Sequence, residues 1–199
     1  AKPKRSSDGQ SETIFLCRET VMEGHGVIIF ANTKSRCESI AKQIAKDFEA
    51  IQSAAEPFIE FSALQEHVDK LQGIEHTAPC AKSDTKGCSC IVCALRQGVA
   101  WHHAGLVQEQ REVIEDAFRS GAAKVLVATT TLSSGVNLPA RRVIIRAPIN
   151  GIGKPLEAAI YQQMSGRAGR TGQDTAGESI VICEGKESTK HTAIALKLL

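Results

Sequence analysis

The sequence predicts an α/β fold in which helices flank a parallel sheet. Three observations lead there. Short apolar runs recur, in Val27–Phe30, "AKVLVATTT" and "RRVIIRAP", and uninterrupted runs of this kind suit strands buried on both faces. Between them lie segments whose apolar residues repeat at helical spacing, as Ile40, Ile44, Phe48 and Ile51 do. Strands and helices alternate along the chain, and that alternation builds a parallel sheet with helices on both faces.

In chain order, residues 1–11 are polar and read as a flexible N-terminal segment, and 11–23 suit an amphipathic helix. "GVIIFANTKSRCESIAKQIAKDFEAI" reads as strand, turn and helix, with Thr33 as the helix cap. From 51 to 98 the pattern breaks. Phe61, Leu64, Val68 and Leu71 mark one helix face, followed by the polar "IEHTAPCAKSDTKGCSC", a loop. This stretch separates two core strands and reads as a largely helical and loop insertion. Alternation returns at 99: "GVAWHHAGL" is a strand and turn, and "VQEQREVIEDAFRSG" a helix that ends at Gly121. Two strands follow, then the helix "LEAAIYQQM", the strand "ESIVIC" and a C-terminal helix from "KESTKHTAIALKLL".

Composition excludes little but sets the class. The 199 residues are 42% hydrophobic and 23% charged with net charge +2, which is ordinary for a globular domain. Basic residues are slightly in excess in the second half, without forming a basic stripe. No apolar run nears the ~20 residues of a membrane span, so no membrane partner is expected. Seven cysteines at irregular spacing argue against a disulfide framework and for a reducing compartment.

The chemistry centres on "YQQMSGRAGRTG", residues 161–172. Arg167 and Arg170 stand among glycines at 166, 169 and 172, and a planar guanidinium beside bare backbone suits a phosphate. Ligands in such sheets sit beyond the carboxyl ends of the strands. There "ANTKSRCE", "HHAGL" and "ATTTLSSGVNLP" follow strands, and the arginine stretch precedes the last one. These small, hydroxylated and glycine residues are expected on one edge. Yet no G-x-x-x-x-G-K-[ST] loop is present, and in "NGIGKPLE" proline follows the Gly-Lys pair. No strand end carries an acidic magnesium site. The residues suit a phosphate held by another domain, to which an arginine finger reaches across an interface.

Four segments carry a resemblance: "VIIFANTKSRCE", "WHHAGL", "VLVATTTLSSGVNLPARRVIIRAP" and "YQQMSGRAGRTGQDTAGESIVIC". They are similar to motif IV, a branch-specific histidine element, motif V and motif VI of the second RecA-like (P-loop NTPase-like) domain of superfamily 2 helicases. The branch is that of the DNA polymerase theta helicase region and the helicase-Q type repair helicases. The resemblance covers 12–199 apart from the insertion, and 99–183 is its most specific part. It implies the C-terminal motor domain of an ATP-dependent 3′–5′ DNA helicase. Arg170 would be the finger, with Arg167 and Gln163 beside it. Gly135, Val136 and Asn137 would couple nucleotide to nucleic acid, with Asn137, Gly135 and Gly166 on the nucleotide side. Thr130 and Thr131 would contact the DNA backbone, and Thr33, Lys34, His103 and Gly105 would face it too. ATP and Mg²⁺ would be bound mainly by an N-terminal RecA-like domain. Single-stranded DNA, that domain and downstream helicase domains would be the partners, in the nucleus. An RNA helicase domain and a non-catalytic interaction domain are the rival readings.

Other candidates carry less. His102 and His103 are adjacent on a strand end, so they point to opposite faces and cannot chelate one ion together. Ser133 and Ser134 have no candidate base nearby in sequence. Cys80, Cys88, Cys90 and Cys93 form C-x7-C-x-C-x2-C, which could bind zinc. The C-x-C spacing is unusual, however, and Cys90 and Cys93 suit one face of a short helix, so no metal is expected. Cys37 and Cys183 read as core. The split-site reading has a direct test. Residues 1–199 alone should release no phosphate from ATP above background, with or without single-stranded DNA. A co-purifying, DNA-responsive turnover would overturn it.

Overall fold

A computed structural model describes residues 9–53, 59–75, 77, 90–134, 137–169, 176–183 and 187–199. Strands β1 (Val27–Phe30), β2 (Val99–His102), β3 (Val125–Ala128), β4 (Arg142–Arg146) and β5 (Glu178–Ile182) form one sheet in the order β2-β3-β1-β4-β5. Every pairing is parallel. The apolar runs read from the sequence are the inner strands. Val27, Ile28, Ile29 and Phe30 are all buried, as are Val125, Leu126, Val127 and Ala128. The edge strand β5 is only half-buried, and Cys183 just beyond it is half-exposed rather than core.

Seven helices are described: α1 (Gln10–Met22), α2 (Lys34–Gln52), α3 (Phe61–Gln72), α4 (Ile91–Arg96), α5 (Gln108–Arg119), α6 (Ala158–Ser165) and α7 (Ser188–Leu198). Helix α1 starts at Gln10, and residues 1–8 lie outside the described residues. Its inward face includes Thr13 and Thr20, whose hydroxyls donate to the carbonyls of Gly9 and Leu16 at 2.8 and 2.9 Å. That back-bonding satisfies two buried polar groups at little cost. Thr33 caps α2, its Oγ1 accepting from the Arg36 N–H at 3.2 Å. Helix α2 buries Cys37, Ile40, Ala41, Ile44 and Phe48 against the sheet.

The stretch read as an insertion contributes to the core. Leu64, Val68 and Leu71 of α3 are buried, as are Ile91, Val92, Cys93, Ala94 and Leu95 of α4. Helix α4 packs on α3 and β2, and α3 packs on α5. The expected short helix at "CIVCAL" is α4. Cys90 caps it, its sulfur accepting from the Cys93 N–H at 3.4 Å. Cys80 and Cys88 lie outside the described residues. Among the described residues no three His, Cys, Asp or Glu side chains cluster as metal ligands, and no described helix is long and apolar enough to cross a membrane.

At the amino edge of the sheet a polar notch of about 270 Å³ is lined by Gly24, His25, Arg119, Lys124 and Arg141, among others. Helices α1 and α5 end there, and basic side chains complement helix carboxyl ends.

One side chain joins three elements. The Arg142 guanidinium donates to Glu178 Oε2 of β5 at 2.6 Å, to Glu19 Oε2 of α1 at 2.7 Å and to the Leu16 carbonyl at 2.9 Å. Its partners are half-exposed, so the network is worth less than a fully buried one. Arg142→Met should lower unfolding stability by about 1–3 kcal/mol. Arg142→Lys should recover only part of that, since a point charge cannot serve three acceptors in one plane. Urea melts of both variants read the difference directly.

Candidate nucleotide and nucleic-acid interface

Because the strands are parallel and in register, the loops after β1, β2 and β3 leave the sheet side by side. Phe30 and His102 both pair with Ala128. The ladder continues into the loops, with Ala31 N–H donating to Ala128 O at 2.8 Å and Thr129 N–H to His102 O at 3.2 Å. The loops bring Thr33, Lys34, His103 and Gly105 together. A Cβ placed on Gly105 would lie 3.0 Å from His103 Nδ1 and 3.5 Å from Lys34 Cδ. Thr33, Lys34, Ala104 and Gly105 are exposed. His103 is not: it is 3% exposed. Its Nε2 meets Glu38 Oε1 at 3.2 Å, and its Nδ1 accepts from the Gly105 N–H at 3.1 Å. Thr129 Oγ1 and Thr131 Oγ1 are 3.0 Å apart at the end of β3.

The two histidines do turn to opposite faces. His103 meets Glu38 of α2, whereas His102 Nε2 lies 2.8 Å from Glu115 Oε1 of α5. His102 is 4% exposed, and its Nδ1 is buried with no hydrogen-bond partner. The neutral tautomer with its proton on Nε2 fits both facts. Burial pushes the His102 pKa below the usual histidine value, and the Glu115 carboxylate only partly offsets this. Burial likewise pushes the Cys37 thiol up to about 12. The thiol donates to Val127 O at 3.1 Å, so it is inert filling.

After β3 the chain makes a 3-10 turn, Thr130–Ser134, and returns to the amino end of β4. Gly135 and Val136 fall outside the described residues, while Asn137 is exposed and Leu138 buried. Helix α6 makes the same return trip and packs on the 3-10 turn. Gln163 is on its exposed side. The arginine stretch begins where α6 ends, and a short parallel bridge between Ala140 and Ala168 holds it. Ala140 N–H donates to Arg167 O at 2.9 Å, and Gly169 N–H to Ala140 O at 2.8 Å. Gly169 has φ +94°, which suits glycine alone, and a Cβ on Gly177 would collide with the Ala168 and Gly169 backbone. The turn is thus a close backbone stack. Arg167 is half-buried, and burial lowers its pKa. Arg170 lies outside the described residues.

This geometry corrects the expectation of a single edge. The arginine turn is not beside the loops at the carboxyl ends. Ala168 pairs two residues before β4 begins, so the turn sits at the amino ends of β4 and β5. Between the two groups of candidate residues, α6 packs on the 3-10 turn and Ala140 bridges Ala168. Glu38, Glu115, Ala140 and Gly177 were missed in the sequence. Glu38 lies 65 positions from its histidine, and nothing local marks the pair.

A parallel five-stranded α/β sheet with this loop edge and arginine turn is the architecture of a RecA-like helicase domain. Residues 61–172, more than half of the chain, match the helicase conserved C-terminal domain, and the chain belongs to that family. It is 44% identical to mouse DNA polymerase theta over 186 residues, covering 93% of this chain and 7% of that one. It is 42% identical to the fruit-fly DNA polymerase theta over 187 residues, 90% of this chain and 9% of that one. It is 38% identical to the ATP-dependent DNA helicase Hel308 of Methanocella arvoryzae over 189 residues, 92% of this chain and 24% of that one. The chain therefore spans a minor part of each of these relatives.

The buried neutral His102 gives a pH prediction with a definite sign. Its folded pKa is lowered, so the unfolded chain binds more protons near and below the usual histidine value of 6.5. The stability of the neutral form is full above that value and is lost as pH falls through the lowered one. Thermal melts from about pH 7.5 to about pH 5 should show a falling Tm. His102→Gln should flatten that slope while starting from a lower Tm. An unchanged slope would remove His102 as its source.

Proposed function

We propose that this domain is the second motor domain of an ATP-dependent DNA helicase that moves 3′ to 5′ along single-stranded DNA. The observation that carries the reading is the Ala140–Ala168 bridge, which stacks the arginine turn on the segment that leads back from Thr130 and Thr131. In this reading a shift of the arginine turn would be passed through that bridge toward Thr130 and Thr131. The Hel308 and polymerase theta relatives support the substrate class.

In this reading the nucleotide and Mg²⁺ would be held mainly by an N-terminal RecA-like domain, and bound ATP would supply a γ-phosphoryl group whose transfer redistributes negative charge over its oxygens and the leaving oxygen. Arg170 reaches across the cleft as the finger. A guanidinium aimed at developing charge stabilises the transition state more than the ground state. Arg167 and Gln163 hold the cleft closed, and Gly135, Asn137 and Gly166 let the backbone approach the nucleotide. Thr130, Thr131, Thr33, Lys34 and Gly105 offer hydroxyls, a cation and bare backbone to the phosphates of one DNA strand, while buried His103 shapes the turn that presents Gly105. Closing and opening of the cleft advances the strand. The mouse and fruit-fly polymerase theta relatives support the nucleus as its compartment in this reading.

In the intact helicase, Arg170→Ala should cut DNA-stimulated ATP hydrolysis by on the order of 10³ or more. Nucleotide affinity should fall far less, and the melting temperature should barely move. Arg170→Lys should rescue poorly. Near wild-type hydrolysis by Arg170→Ala would remove the finger assignment. Stimulation by RNA equal to that by matched single-stranded DNA would favour an RNA helicase instead.

A further inference from the structure

The turn after β2 is held by a relay of side chains that ends in a backbone amide. His103 is the centre of it. Its Nδ1 accepts from the Gly105 N–H at 3.1 Å, so that nitrogen carries no proton. The neutral ring then has its proton on Nε2, facing Glu38 Oε1 at 3.2 Å. Only this tautomer satisfies both contacts, and a carboxylate acceptor on one nitrogen selects it. Glu38 is itself fixed. Its Oε2 accepts from Lys42 Nζ at 2.9 Å, and that ammonium lies 5.2 Å from the Trp101 ring centroid. The chain Trp101–Lys42–Glu38–His103–Gly105 thus ties α2 to the turn. The Cβ position of Gly105, filled only by an α-hydrogen, lies 3.0 Å from His103 Nδ1, with the Lys34 stem 3.5 Å from the same point.

We propose that Glu38 is a positioning residue for nucleic-acid binding: by holding the His103 ring it fixes Ala104, Gly105 and Lys34 in one arrangement that takes a phosphate of the bound strand. The inference rests on the reading that the carboxyl edge binds single-stranded DNA. His103 is buried with both nitrogens in use, so its part is to shape the exposed backbone beside it. Lys34 supplies the charge, and the turn supplies close approach for a phosphate oxygen.

The sign of the expected effect separates this role from plain electrostatics. Removing a carboxylate near a phosphate-binding surface should by charge alone tighten DNA binding. The relay demands the reverse. In the intact helicase, Glu38→Ala should raise the oligo-dT concentration for half-maximal ATPase stimulation about 10-fold. The rate at saturating DNA and the basal rate should stay near wild type. Glu38→Gln should lose clearly less than Glu38→Ala, because its amide oxygen still accepts from His103 Nε2 although its NH₂ cannot accept from Lys42. In residues 1–199, Gly105 amide exchange should quicken in Glu38→Ala and not in Glu38→Gln.

Unchanged or tighter DNA dependence in Glu38→Ala would overturn the proposal. So would a Gln variant as impaired as the Ala variant, or a Gly105 amide that stays protected in Glu38→Ala. If oligo-dT fails to stimulate the wild-type helicase, the strand-binding reading falls and takes this role with it. Gly105 exchange would still report whether the relay holds the turn.

Discussion

The parallel ladder around β1 is the constraint on which the rest depends. Strands of four or five residues have few hydrogen bonds each, and parallel strands must be covered on both faces. β1 meets this by pairing with β3 on one side and β4 on the other, residue for residue over Val27–Phe30. The inner strands present apolar side chains to both faces of the sheet, so each crossover must lay a helix or tight segment over it. The helices α3 and α4 belong to this cover as much as α2 and α5 do. A stretch that looks irregular in sequence is needed because β2 is an edge strand with a buried face.

The ladder also divides the work of the domain. All carboxyl ends lie on one edge, where the loops after β1, β2 and β3 meet. The arginine turn is at the other end, stacked on Ala140. Helix α6 packs on the 3-10 turn, and Ala140 is bridged to Ala168 just beyond the end of α6. Glycine is required there at 177 because the Ala168–Gly169 backbone approaches more closely than any Cβ allows, and at 169 because its φ is +94°.

Charge is treated differently at the surface and inside. Where carboxylates meet cations near solvent, as with Glu38 and Lys42, burial would raise the carboxyl pKa, but the partners outweigh it and hold it low. Where a titratable group is enclosed, it is kept neutral, as in His102, Cys17 and Cys37. Neutrality avoids the cost of an unpaired buried charge. Adjacent histidines therefore serve two different jobs. One is neutral filling between β2 and α5, and the other is a hydrogen-bonded strut beneath an exposed turn.

Much was legible in the sequence because the signals were local. Apolar runs and helical spacing placed the strands and helices, Thr33 announced its cap, and "YQQMSGRAGRTG" marked the turn that follows α6. The strand pleat alone predicted that His102 and His103 diverge. By itself the sequence determined which segments are strands, that the sheet is parallel, and which family the motifs resemble, since period, composition and motif spacing are properties of neighbouring residues. Only the tertiary structure decided which edge each motif occupies, that His103 faces inward to Glu38, that α3 and α4 complete the core, and that Gly177 must be glycine. Each of these depends on pairs that are distant in sequence, such as Ala140 with Ala168 or Glu38 with His103, and strand register alone brings such pairs into contact.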